Sequence, residues 1–391
     1  MNGPGRSSIA RIPREEHFTS RLRSPAVSAR IGVWLGICFL VAFVTGLVSH
    51  VTQSPSPWFP LPTRPSWGYR VTQGLHVVSG TAAIPLLLVK LWSVFPKLFA
   101  RLPQGRRNQA LVAVERGTIA VLVAASVFQV ASGLANSAQW YPWDFRFRAT
   151  HFALGWVAVG ALLVHVAVKL PVIRQALTHG VDDPALDRAS ATGSSGLTRR
   201  GLLHSTWVAA GAAVVLSAGS TVPLLRRVSV FGVRSGEGPA GIPINKSAAA
   251  AGVVAAALSP AYRLVVRFGG RTVELTRKDL EALPQTSADL PIACVEGWSA
   301  SGTWTGVRVS DLLALVDAVD QDVQVVSLQQ DGAFRQATLP AHFARDPLTL
   351  LALRLNGAEL AIDHGYPARL IAPNRPGVLQ TKWVARLEVT P

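Results

Sequence analysis

Five stretches of this 391-residue chain run for about 20 residues without an Asp, Glu, Lys or Arg: 31–50, 71–89, 117–136, 149–168 and 201–225. A helix needs about 20 apolar residues to cross the hydrocarbon core of a bilayer. Five uncharged runs of that length predict five membrane-spanning helices, four of them in a bundle at 31–170 and a fifth tethering span at 201–225. Composition agrees. Hydrophobic residues make up 49% of the chain and charged residues 15%, against about 25% charged in soluble domains.

The formal net charge is +16. In a soluble chain that balance raises a nucleic-acid partner. Here the cations flank the apolar runs, so the charge reads as membrane topology and no nucleic acid is expected. Arg6, Arg11, Arg14, Arg21, Arg23 and Arg30 precede the first run. Lys90, Lys97, Arg101, Arg106, Arg107 and Arg116 lie between the second and third. Lys169, Arg174, Arg188, Arg199 and Arg200 lie between the fourth and fifth. The other two loops hold only Arg64, Arg70, Arg146 and Arg148. Cations accumulate on the cytoplasmic side. The expectation is a multi-pass protein of a bacterial plasma membrane, with residues 1–30 inside and residues 226–391 outside.

Between the bundle and the fifth run lies a polar linker, 171–200, that ends in "LTRRGLL". With the Ala/Gly-rich run that follows, this resembles a twin-arginine export signal placed mid-chain. The resemblance implies the twin-arginine export machinery as a partner, a route that carries domains already folded around a cofactor. The other reading of Arg199 and Arg200 is a cytoplasmic pair at the end of an ordinary span.

Histidine inside a membrane helix is costly and is a functional candidate by default. His50 closes the first span, His76 lies near the outer start of the second, and His151 near the outer start of the fourth. Two imidazoles from different helices at one depth can ligate one haem axially. His76 and His151 are the expected ligands of a haem b, with His50 as an alternate. His165 lies 14 residues beyond His151, close to the same helix face. Its depth on the second span offers Lys90 and not a histidine, so one outer haem is expected. The pattern is that of membrane cytochromes b in general. The alternative keeps these histidines as polar contacts between helices.

From residue 226 onward the texture is that of a soluble α+β domain. "YRLVVRFGGRTVEL" predicts two strands around a Gly-Gly turn. "VQVVSLQQ", "RLIAP" and "WVARLEVT" read as further strands. "KSAAAAGVVAAAL", "RKDLEAL" and "RVSDLLALVD" read as helices, the last with Ser310 or Asp311 near its N-cap. Only two cysteines occur, Cys38 in an apolar run and Cys294 in "IACVEGWSASGTWTGV", too few for a disulfide framework. By itself Cys294 reads either as a small buried hydrophobe or as a reactive or metal-binding thiolate.

Three segments in order, "CVEGWSASGTWTGVRVSDLL", "LNGAELAIDHGYPARLIAP" and "QTKWVARLEV", resemble the molybdopterin-binding domain of the sulfite oxidase superfamily, over 242–391. The resemblance implies that Cys294 is the thiolate ligand of molybdenum, and soft thiolates suit such metals. It further implies Mo-molybdopterin as cofactor, with His364, Arg369 and Lys382 as contacts of the pterin. Gln380 and Thr381 would offer backbone contacts, Asp331 an acid and Asn245 a weaker match. Arg375 lies near the same loop.

"CVEGWSASG" holds no arginine before Arg308, whereas sulfite-oxidising members carry arginines just after the cysteine. On this resemblance the domain is expected to be shorter than many members and to be without a dimerisation domain. It therefore looks closer to the bacterial branch that reduces methionine sulfoxide in proteins. The function expected is oxygen-atom transfer on an S-oxide, N-oxide or sulfite-like substrate, with electrons exchanged through the haem-bearing bundle with quinone or another membrane carrier. A haem-free anchor and a non-catalytic extracellular binding module are the alternatives.

Overall fold

The computed structural model describes residues 13–56, 58–59, 61–193, 196–232 and 238–389. Arg6 and Arg11 lie outside them. Among the described residues, five helices are long and apolar enough to cross a membrane. They are α1 (Pro25–Thr52), α2 (Gly68–Val94), α3 (Arg106–Ser137), α4 (Phe147–Thr178) and α5 (Arg199–Ser217). Leu40, Leu88 and Leu163 are each more than 60% exposed, as lipid-facing side chains of a membrane helix are.

The fifth span ends earlier than the uncharged run. α5 stops at Ser217, a tight turn covers Ala218–Ser220, and a separate turn begins at Pro223. Ser217, Gly219, Ser220 and Thr221 are poor helix formers, and Pro223 cannot donate to a continuing helix. Absence of charge marks what a bilayer tolerates and not where a helix stops.

The chain packs as two compact units, Met1–Leu40 with Gly80–Ala131 and Ala153–Val214, and Val41–Ser79 with Ser132–Phe152 and Val215–Pro391. In the first, Val27, Ile31 and Leu35 of α1 pack on Ala83, Leu86 and Leu87 of α2. The Lys90 ammonium donates to the Ser28 carbonyl at 2.8 Å and hydroxyl at 2.9 Å, which offsets its burial among apolar groups. Arg199 is buried. Its guanidinium donates to the carbonyls of Arg21, Val181 and Asp183 and pairs with the Asp187 carboxylate. Arg200 is exposed and pairs with Asp182 at 2.7 Å.

The second unit holds the C-terminal domain together with residues 41–52 of α1, 68–79 of α2, 132–137 of α3 and 147–152 of α4. Its strands are β1 (Leu264–Phe268), β2 (Arg271–Leu275), β3 (Thr286–Ala293), β4 (Ser299–Arg308), β5 (Val323–Ser327), β6 (Gln336–Leu339), β7 (Leu350–Leu355), β8 (Ala358–Glu359), β9 (Arg369–Ile371) and β10 (Val384–Val389). One sheet runs β2-β1-β10-β5-β6, with β1 and β10 parallel. The other runs β3-β4-β7-β8, with β9 also on β7. Short helices α6 (Val254–Ala257), α7 (Arg277–Ala282), α8 (Val309–Ala314) and α9 (Ala341–Ala344) complete it. β7 is covered on both faces. Leu351 and Leu353 join a cluster with Leu264, Val325 and Leu387, while Leu350 and Ala352 join one with Ile292, Cys294 and Trp304. Alternation of side chains along a strand produces that division.

The strands read from the Gly-Gly hairpin and from 323–327, 369–371 and 384–389 are present. The single helix expected over 246–258 is reduced to α6, because Gly252 takes φ +67° and breaks the run. α8 is capped by Arg308 without a side-chain hydrogen bond, with Asp311 in its first turn, and not by Ser310 or Asp311. β3, β4, β6, β7 and β8 escaped sequence reasoning. The 299–306 segment is rich in Ser, Gly and Thr, so its sheet pattern is masked.

Candidate functional site

β3 and β4 pair from Thr286↔Gly306 to Ala293↔Ser299, which leaves residues 294–298 as the hairpin loop. The Cys294 amide donates to the Trp298 carbonyl at 2.9 Å, and the Gly297 amide to the Cys294 carbonyl at 3.1 Å. Gly297 takes φ +83°, a conformation only glycine adopts without strain. The hairpin thus places Cys294 at the end of a long strand, 1% exposed, beside the buried Trp298 and Trp304.

Three carbonyls of this five-residue loop accept hydrogen bonds from the helical segments of the same unit. Gln73 Nε2 of α2 donates to Cys294 O at 3.3 Å, and Asn136 Nδ2 of α3 to Val295 O at 3.0 Å. Thr221, just beyond α5, donates its hydroxyl to Gly297 O. The Glu296 carboxylate accepts from Trp298 Nε1 at 3.1 Å and from Gln139 Nε2 at 3.4 Å, and lies 3.9 Å from Cys294 Sγ. Burial, with the Glu296 charge adding to it, pushes the Cys294 thiol up to about 12. A thiol in that setting keeps its proton unless a metal cation displaces it.

Arg369 and Lys382 lie close enough for their charges to act on Cys294. Arg369, the first residue of β9, is buried, with its guanidinium 5.3 Å from the Trp304 ring centre and Nη1 donating to His364 O at 3.1 Å. Lys382 donates to the carbonyls of Lys246 and Asp363, both at 2.8 Å. Burial, and next the Arg369 charge, lower its ammonium to about 7. His364 is 1% exposed and contacts Pro239 O through Nε2 at 2.7 Å. Desolvation, and next Arg369, bring it down to about 4, so the ring is neutral near pH 7.

Three buried polar atoms here have no partner: His364 Nδ1, Arg369 Nε and Thr381 Oγ1. Each costs about 1–3 kcal/mol when left so. Arg369, whose charge acts on Cys294, bonds His364, and its chain neighbour Leu370 bonds Thr381; open polar atoms on such a set fit a group rich in hydrogen-bonding edges. Among the described residues no three His, Cys, Asp or Glu side chains cluster as a metal cage. A metal carried by an organic cofactor needs only the one thiolate.

Other residues singled out from the sequence stand differently. Gln380 spends its amide on Ala372 N at 2.8 Å and on the carbonyls of Ala372 and Arg375, both at 3.1 Å, so it braces the loop after β9. Asp331 lies in the exposed turn between β5 and β6, outside the buried set. Asn245 is exposed and accepts from Lys246 N at 2.9 Å; only its neighbour Lys246 reaches Lys382. Arg375 is buried over Phe343 and holds the Thr338 carbonyl at 2.7 Å.

His76 and His151 face each other across 6.2 Å between ring centres, with planes 70° apart. His76 Nδ1 is 2.8 Å from Ala42 O, and His151 Nδ1 is 3.0 Å from Ser132 Oγ. Histidines that ligate metals are oriented in this way through the second nitrogen. A Cβ at Gly46 would come within 2.9 Å of His76 Cε1, so glycine there makes room for the ring. His50 instead lies flat on Phe152, 3.6 Å between centres. The residues sequence reasoning missed are Gln73, Asn136, Gln139, Thr221 and Glu296. Gln73 and Asn136 carried a signal, since each is an amide at the end of an uncharged run.

Residues 251–391 match the family described as the oxidoreductase molybdopterin binding domain. A putative protein-methionine-sulfoxide reductase subunit YedZ1 of Azospira oryzae is 35% identical over 115 residues, 29% of this chain and 43% of that protein. Human mitochondrial sulfite oxidase is 28% identical over 159 residues, 33% of this chain and 29% of that protein. Among solved structures, the sulfane dehydrogenase SoxCD of Paracoccus pantotrophus is similar at 26% identity and TM-score 0.31, covering 34% of this chain and 39% of that one. The chain spans less than half the length of each.

Proposed function

We propose, from a C-terminal domain that is a molybdopterin-binding oxidoreductase domain of the sulfite oxidase superfamily, that the chain is a membrane-bound oxygen-atom transferase working on S-oxide or N-oxide substrates. The observation that carries this reading is the buried Cys294 thiol beside Arg369 and Lys382, with His364 Nδ1, Arg369 Nε and Thr381 Oγ1 left unpartnered. Cys294 would hold molybdenum. His364, Arg369, Lys382 and Thr381 would hold the pterin, matching its anionic phosphate and ring edges. The bound cofactor supplies two-electron redox chemistry with transfer of an oxygen atom.

A neutral oxide is favoured over sulfite by charge. The carboxylate of Glu296 lies beside the sulfur, and no arginine occurs between Cys294 and Arg308. Like charges repel strongly where water is excluded.

Electrons would come from membrane quinol through one haem b held by His76 and His151. The facing imidazoles and their Nδ1 contacts support this. The charge-poor loops, with Arg64 and Arg146, fall in the same unit as the C-terminal domain, and the described cation-rich segments in the other. That division supports a C-terminal domain outside the plasma membrane, exported by the twin-arginine route through Arg199 and Arg200.

The test is metal analysis and turnover of the full-length protein from a molybdate-fed host, on methionine sulfoxide, trimethylamine N-oxide and sulfite. The expected result is about one molybdenum per chain, lost in Cys294→Ser, with oxide reduction outpacing sulfite oxidation. Protein without molybdenum, or active on sulfite alone, overturns the reading.

A further inference from the structure

Gln73 stands three residues before His76 on α2, and Asn136 four residues after Ser132 on α3. Residues at those spacings share a helix face. On α2 that face carries an amide bonded to the Cys294 carbonyl and, one turn along, the His76 ring. On α3 it carries an amide bonded to the Val295 carbonyl and, one turn along, the hydroxyl that contacts His151. The same two helices therefore grip both the cysteine loop and the histidine pair.

Gln73 is itself held. Its Oε1 accepts from Ser49 Oγ at 2.9 Å. Gln53 Nε2 donates to Ser49 Oγ and to Tyr69 Oη, both at 2.7 Å. The Tyr69 amide donates to Asn374 Oδ1, which ties the network to the loop after β9. Ser49, Gln53, Tyr69 and Gln73 are all buried. A buried network whose members are mutually bonded rigidifies its surroundings. Uncharged side chains do so without adding a charge beside the sulfur.

We propose that Gln73 and Asn136 are positioning residues. They set the Cys294 loop relative to the His76–His151 pair and complete a route of covalent and hydrogen bonds for electrons between the two. The electron route rests on the proposed function, in which Cys294 holds molybdenum and the histidines hold haem. Each oxide reduced takes two electrons and two protons and yields the thioether or amine and water. Quinol supplies both electrons, passed singly by the haem. Electron transfer weakens sharply across gaps without bonds, so an amide bridging the metal-bearing residue to the helix of a haem ligand governs the rate. The helices then form part of the molybdenum site and are more than an anchor.

The test uses full-length Gln73→Met and Asn136→Leu proteins and the double variant in detergent, against wild type. Haem absorbance and molybdenum content are recorded with the line shape of the paramagnetic Mo(V) signal and the rate at which pre-reduced haem is reoxidised by methionine sulfoxide. Expected are retained cofactors, an altered Mo(V) line shape, and reoxidation slowed by about tenfold or more in the double variant. In cofactor-free protein with Cys38→Ser, Cys294 should alkylate measurably faster once both amides are gone, because the loop opens more readily. A double variant with wild-type line shape, reoxidation rate and alkylation rate overturns the inference. Wild-type protein without haem absorption overturns the haem reading and the electron route together, and the alkylation rate then decides the positioning role by itself.

Discussion

Gln73 and Cys294 are separated by 221 positions, yet the amide of one donates to the carbonyl of the other at 3.3 Å. One belongs to a membrane-spanning helix and the other to a β-hairpin loop. Two further carbonyls of the loop, of Val295 and Gly297, are held by Asn136 of α3 and by Thr221 just beyond α5. A side chain on a loop fixed in this way keeps its direction, as a ligand of a metal centre must.

Gly297→Ala tests the geometry of that loop. Its φ of +83° places a side chain in left-handed backbone, and a Cβ would approach Ser137 Oγ to 3.1 Å. The strain is about 1–2 kcal/mol. Thermal melts of the cofactor-free protein should show a loss of that size, and molybdenum loading should fall with it. An unchanged melt and full loading would show that the turn relaxes.

His364 predicts an acid sensitivity. Its folded value is about 4 against 6.5 when exposed, through burial and then the neighbouring Arg369 charge. As pH falls below 6.5 the unfolded chain takes up a proton that the folded chain refuses, so stability drops between pH 6.5 and about 4. The loss is on the order of 2 kcal/mol. Denaturant titrations of the cofactor-free protein across that range should show it, and His364→Gln should remove that part of the slope.

His76→Ala or His151→Ala should each abolish a six-coordinate haem spectrum, because axial ligation needs both rings. Gly46→Leu should perturb the same band, since even a Cβ crowds His76 Cε1. Absorption spectra of purified membranes read all three. A colourless wild-type membrane with oxide reductase activity would reduce the bundle to an anchor.

Arg199 and Arg200 are adjacent but differ in role once folded. Removing Arg199 leaves the largely buried Asp187 carboxylate without its cation, a loss of about 3 kcal/mol by the measure of buried pairs. Arg200, whose side chain is 78% exposed, should cost less than about 1 kcal/mol. Melting curves of Arg199→Ala and Arg200→Ala check the contrast. Export is therefore best probed with Arg200→Lys, which leaves the Arg199 contacts in place; normal translocation of the C-terminal domain in that variant would count against the export signal.

Much of the architecture is readable along the chain, because a bilayer imposes a local and uniform demand. Any run of about 20 uncharged residues is marked, and all five runs became helices. The Gly269–Gly270 hairpin was equally legible, since its turn chemistry is contained in four residues. The family segments likewise marked Cys294, His364, Arg369 and Lys382. These four share one neighbourhood, and Asp331 does not join it.

Tertiary structure alone decided the rest. Strand β4, which with β3 aims Cys294, is rich in small and polar residues at 299–306, and only its pairing with β3 and β7 makes it part of a sheet. The partners of the cysteine loop come from α2, α3 and the segment after α5, brought there by long-range packing that no local pattern encodes. His50 illustrates the same limit. Its depth matched that of His76 and His151, but helix rotation turned its ring onto Phe152. Sequence determined which segments are apolar enough to cross a membrane and which residues are candidates for the chemistry. The fold determined which of them meet, because hydrogen bonds and ring contacts depend on helix rotation and strand register, and those are set by the whole molecule.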